Sequence, residues 1–87
     1  MFYDESLDER VEVAAVFSGG YVPCRPVKFR RRSGREVVVA EVGLVHPRPA
    51  GKKMIWIFDV TDGGADYRLE MDAETLVWKL MAEGDRI

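Results

Sequence analysis

Soft, reactive side chains are scarce in this chain: its 87 residues include one cysteine, Cys24, and one histidine, His46. A single cysteine excludes an intramolecular disulfide and any thiolate cluster built within one copy, and it points to a reducing compartment. Zinc centres need several N, S or carboxylate ligands at compatible spacing. Cys24 and His46 do not meet that need, so no metal or other cofactor is expected. No apolar run reaches the roughly 18 residues of a membrane span, and Met1-Phe2-Tyr3-Asp4-Glu5-Ser6 is acidic where a signal peptide would be basic and then apolar. A cytoplasmic location with no membrane partner is the expectation. Internal repeats and low-complexity tracts are also missing, and a chain this short has room for one core and no large interior pocket.

Catalytic patterns are equally thin. Cys24 as a nucleophile would need a neighbouring base such as His46 and an electropositive setting, of which Arg25 offers only the second. Pro23-Cys24-Arg25-Pro26 reads more simply as a kinked segment with a small buried side chain. Asp59, Asp62 and Asp66 lack the spacing of a helix-loop-helix calcium site and belong to turn chemistry. Gly19-Gly20 and Gly63-Gly64 are not followed by the Lys-Ser/Thr pair of a phosphate loop. No enzyme activity and no catalytic residues are expected.

Charge of one sign is concentrated in the middle of the chain. Residues 1–24 hold Arg10 against Asp4, Glu5, Asp8, Glu9 and Glu12, whereas 25–53 hold nine Lys or Arg against Glu36 and Glu41. Residues 54–87 return to an excess of carboxylates, so a basic block lies between two acidic ones. Such asymmetry marks a candidate anion-binding face.

The hydropathy pattern is that of strands. Residues 1–10 read as a loosely held arm, with a single domain over 11–87. Val11, Val13, Ala15 and Phe17 alternate with their neighbours and predict a strand over 11–17, ended by Gly19-Gly20. Val27-Lys28-Phe29-Arg30-Arg31-Arg32 places Val27 and Phe29 on one face and Lys28, Arg30 and Arg32 on the other. Ser33-Gly34 turns the chain, and 35–42 returns as the second strand of a hairpin. His46-Pro47-Arg48-Pro49-Ala50-Gly51-Lys52-Lys53 reads as an irregular, exposed, basic loop. Met54 to Val60 is apolar enough for a central strand buried on both faces. Trp56, Phe58, Tyr67 and Trp78 are read as core rather than as a base-stacking platform. Residues 72–83 allow two readings: a helix capped by Asp72 and stopped by Gly84, or a strand after an Asp72-Ala73-Glu74 turn. The fold class is mostly β, a small antiparallel sheet or half-closed barrel of five or six strands with a C-terminal helix as the alternative.

Two stretches carry a resemblance: Pro26 to Glu36, and Ile57 to Leu80 with Asp62-Gly63-Gly64, Tyr67-Arg68-Leu69, Asp72, Thr75, Trp78 and Leu80. Together they resemble small bacterial β domains of unknown function encoded beside error-prone DNA polymerases, in which a P-x-x-F strand leads to a basic turn and a Y-x-L strand precedes a W-x-L strand. The His46-Pro47-Arg48-Pro49 segment departs from that pattern. The resemblance implies an accessory role in DNA repair and carries over no catalytic residue.

The expected function is therefore binding, of DNA or RNA or of a protein already bound to one, through Lys28, Arg30, Arg31, Arg32, Arg35, Lys52 and Lys53. A solvated face whose charges pair with Glu36, Glu41 and the acidic ends is the bland counterpart. The rival function is protein interaction or homodimer formation through an edge strand.

Overall fold

The computed structural model describes residues 3–85. All regular structure in that range is strand: β1 Glu5–Val16, β2 Arg25–Arg30, β3 Glu36–Val38, β4 Glu41–Ala50, β5 Lys53–Thr61, β6 Ala65–Asp72 and β7 Trp78–Asp85. They pair antiparallel in one sheet of order β3-β2-β1-β7-β6-β5-β4. The outermost strands, β3 and β4, are consecutive in the chain. Val39 N donates to Val27 O at 2.9 Å and Ala40 N to Thr61 O at 2.8 Å, so the chain steps from the β2 side to the β5 side within two residues. The sheet is thus curled into a half-barrel.

The curl follows from the alternation of side chains. On β6, Tyr67, Leu69 and Met71 point inward and are buried, while Arg68, Glu70 and Asp72 point outward. Phe58 and Val60 of β5, Trp78 and Leu80 of β7, Phe29 of β2, Val37 of β3 and Val11 of β1 complete the core. Phe29 meets Tyr67 edge to face, with centroids 5.3 Å apart, and Phe58 lies 5.0 Å from Trp78. Trp78 is core as expected, while Trp56 is only partly buried and packs against the cluster.

β5 is buried on both faces over Ile57–Thr61. Its outward Asp59 is covered by Arg68, whose Nε and Nη2 donate to Oδ1 and Oδ2 at 2.9 and 3.2 Å, and by Tyr3, whose hydroxyl donates to Oδ1. Burial raises the Asp59 pKa, but the bonds from Arg68 and Tyr3 outweigh it and hold the carboxyl below its ordinary value.

Several expectations are corrected. The sheet has seven strands, and residues 72–83 form no helix. Asp72 Oδ1 accepts from Glu74 N and Thr75 N, and Leu76 N donates to Asp72 O, closing a turn from which β7 starts at Trp78. The turn leaves Leu76 at φ 60°, a left-handed conformation that costs a non-glycine residue about 1–2 kcal/mol. β1 begins at Glu5, so residues 5–10 of the expected arm pair with β7, while Met1 and Phe2 lie outside the described residues. The expected loop over His46 to Lys53 is instead the second half of β4, the Gly51-Lys52 turn and the first residue of β5. Pro47 and Pro49 are accommodated because β4 is an edge, and Gly51 at φ 64° opens the two-residue turn between Ala50 and Lys53. Asp62 is a turn residue whose Oδ1 accepts from Gly64 N and Ala65 N at 2.8 and 2.7 Å.

Candidate nucleic-acid interface

The basic hairpin forms, Lys28 opposite Val38 and Arg30 opposite Glu36, but it is shorter than the expected 27–32 and 35–42: β2 ends at Arg30, and the return strand breaks after Val38, where the chain crosses to β4. Its phase is set by a bulge: Ala14 pairs with Lys28 but Ala15 with Pro26, so Val27 is the unpaired extra residue and Pro26 shares the buried side with Phe29. Lys28 and Arg30 do point outward together. Arg32 lies past the end of β2, in the turn where Arg31 N donates to Arg35 O and Gly34 N to Arg31 O.

Of the seven expected cations, Arg32 and Arg35 stand in the β2–β3 turn and the other five separate into three groups. Lys28 and Arg30 stand over a mixed surface, with Lys28 3.9 Å from Glu36 and Arg30 3.7 and 3.5 Å from Glu12 and Glu36. These side chains are about half exposed, so the pairs are weak and open to exchange for another anion. Arg31 is different. Its guanidinium turns inward and binds Glu9 at 2.9 Å and Glu83 at 3.1 Å, with only 16 % of the side chain exposed. Glu9 also accepts from Arg32 N at 3.0 Å. The bonds from Arg31 hold the Glu9 carboxyl below its ordinary value, and those from Glu9 raise Arg31. Arg31 is thus a structural clamp joining β1, β7 and the β2–β3 turn.

Lys52 and Lys53 fall elsewhere. They sit in and after the β4–β5 turn, a full strand of about 30 Å along β4 from the Ala40 crossover. Lys53 is paired with Asp72 at 3.4 Å. A second cluster of ion pairs lies on that outer side, where Arg48 meets Glu70 and Lys79 meets Asp8 at 3.3 Å. These groups do not extend the hairpin face.

Arg10 joins the face instead. On β1 it lies two residues from Glu12, which is opposite Arg30, and with Arg30, Arg31, Arg32, Glu12 and Gly34 it lines one shallow surface depression. Sequence reasoning misses it because an alternation that starts at Val11 leaves Arg10 in the arm; extending the β1 alternation two residues back from Glu12 puts both on the outer face. Among the described residues, the guanidinium groups of Arg10, Arg32 and Arg35 form no ion pair, although the Arg32 amide is bound to Glu9 and the Arg35 charge acts on Asp62. Arg31 is bound by two carboxylates and Arg30 faces both Glu12 and Glu36, so among the described residues lining the depression Arg10 and Arg32 are the arginines outside an ion pair.

Cys24 is buried, and burial pushes its thiol up in pKa, as for a packed small side chain. Among the described residues no helix is long and apolar enough to cross a membrane. Comparison of the chain with protein-family models, curated proteins and solved structures finds no match.

Proposed function

We propose that this chain is a non-catalytic β module that binds the phosphate backbone of a nucleic acid through Arg10, Arg30 and Arg32, with Lys28 and Arg35 at the margins. The observation that carries this reading is that the exposed Arg10, Arg30 and Arg32 line one depression, Arg10 and Arg32 outside any ion pair among the described residues and Arg30 held only by weak, exposed contacts to Glu12 and Glu36. Guanidinium groups bind phosphate in bidentate geometry, and exposed pairs such as Arg30 with Glu12 are cheap to exchange. An accessory role in DNA repair agrees with the resemblance of the hairpin and the late strands to domains encoded beside error-prone polymerases. Association through an edge strand has less to support it. β3 is three residues long, and Pro47 and Pro49 remove amide donors from the side of β4 that faces away from β5.

Reversal of both Arg30 and Arg32 to Glu is expected to weaken binding of a labelled 12-nucleotide strand by well over tenfold. The fold is expected to survive, because both side chains are exposed. A melting temperature within a few degrees of the wild-type value, with unchanged affinity, would refute the assignment of these two residues.

A further inference from the structure

β1 and β7 pair only as far as Val11 opposite Trp78. Beyond that point β1 continues beside β2 while the β6–β7 turn stands apart, and an open cleft separates them. Away from Arg10 and Glu12 its lining is apolar except for Thr75: Val13, Ala15 and Phe17 on one side, Leu76 and Val77 on the other, with Trp78 between. Phe17 is 56 % exposed and Leu76 51 %, so two large apolar side chains stand at the rim in water. Leu76 is held there by a backbone at φ 60°, in which a leucine is costly and a glycine is not. Arg10, Val11 and Glu12 line both this cleft and the arginine depression, so the two are one continuous groove, cationic at one end and apolar at the other.

We infer that the groove takes a single strand rather than a duplex, with phosphates on Arg10, Arg30 and Arg32 and an unpaired base received in the cleft against Phe17 and Leu76. The inference rests on the phosphate-binding reading above and goes beyond it. A duplex keeps its base faces stacked inside and offers an apolar cleft nothing to receive, whereas an unpaired base has an exposed face that stacks on an aromatic ring. The charge beside the cleft selects the occupant, since an apolar ligand without a phosphate would leave the Arg10 and Arg32 guanidinium groups without an anion.

The test is titration of the full chain with labelled dT12, with a 12-unit abasic deoxyribose-phosphate strand, and with the dT12·dA12 duplex at low salt. Tighter binding of dT12 than of either other probe, by about tenfold, is expected. Phe17→Ala and Leu76→Gly should each lower dT12 affinity toward the abasic value and leave abasic binding unchanged. Leu76→Gly also relieves the backbone, so its fold is secure. An rU12 arm separates RNA from DNA, which offer the same phosphate and base chemistry. Equal binding of dT12 and the abasic strand, both abolished by Arg30→Glu with Arg32→Glu, would overturn the cleft assignment and leave the phosphate reading standing. No binding of any probe would overturn both.

Discussion

Replacement of Phe29 by alanine is expected to lower the free energy of unfolding by about 3–5 kcal/mol, enough to remove much of the stability of a domain this size. Phe29 is 1 % exposed and reaches from β2, near one margin of the sheet, to Tyr67 on β6, near the other. Its ring is therefore a contact that exists only when the sheet is curled. Alanine leaves a cavity and also strips Tyr67 of its edge-to-face partner. Urea denaturation followed by tryptophan fluorescence gives the number directly. A loss below 1 kcal/mol would mean that the β2–β3 hairpin is not packed over β6.

A second large effect is expected at Arg31. Arg31→Met removes the cation that satisfies Glu9 and Glu83, leaving two mostly buried carboxylates facing each other's charge, and should cost about 2–4 kcal/mol at neutral pH. Arg30→Met, whose pairs are half exposed, should cost under about 1 kcal/mol. Adjacent arginines in one run of three thus differ severalfold. The pH dependence has a defined sign. Glu9 has a folded pKa held below its ordinary value of 4.5, so its contribution is complete above that value and is lost as pH falls through the depressed one. The gap between wild type and Arg31→Met should accordingly be widest at neutral pH and narrow below about pH 4. Equal effects of the two substitutions would contradict the inward placement of Arg31.

The contrast between Arg30 and Arg31 also marks how far the sequence is legible. Period-2 alternation in Lys28-Phe29-Arg30 and in Tyr67, Leu69 and Met71 is a local property of the chain, and those residues lie on the faces that alternation gives them. The site was read less well because its composition depends on partners far away in sequence. Arg31 is drawn inward by Glu9 and Glu83, separated from it by 22 and 52 positions, and nothing in Arg30-Arg31-Arg32 distinguishes the middle residue. The bulge at Val27 shifts the strand phase without a sequence signal. His46-Pro47-Arg48-Pro49 has the composition of a loop, and only its place at a sheet edge, a property of the whole topology, lets two prolines sit in a strand. Arg10 could have been found by carrying the β1 alternation back past Val11.

The salt dependence of binding tests the central claim most directly. Three guanidinium groups on three phosphates of a single strand predict a slope of log K against log salt near about −2, at about 0.7 for each contact. Reversal of Arg30 and Arg32 leaves Arg10 as the one contact and should flatten that slope to about −0.7 or shallower. Titrating labelled dT12 from low to moderate salt is the measurement. A slope near −2 that collapses in the double variant is the predicted result, and absence of binding at low salt, or binding indifferent to salt, would contradict the account.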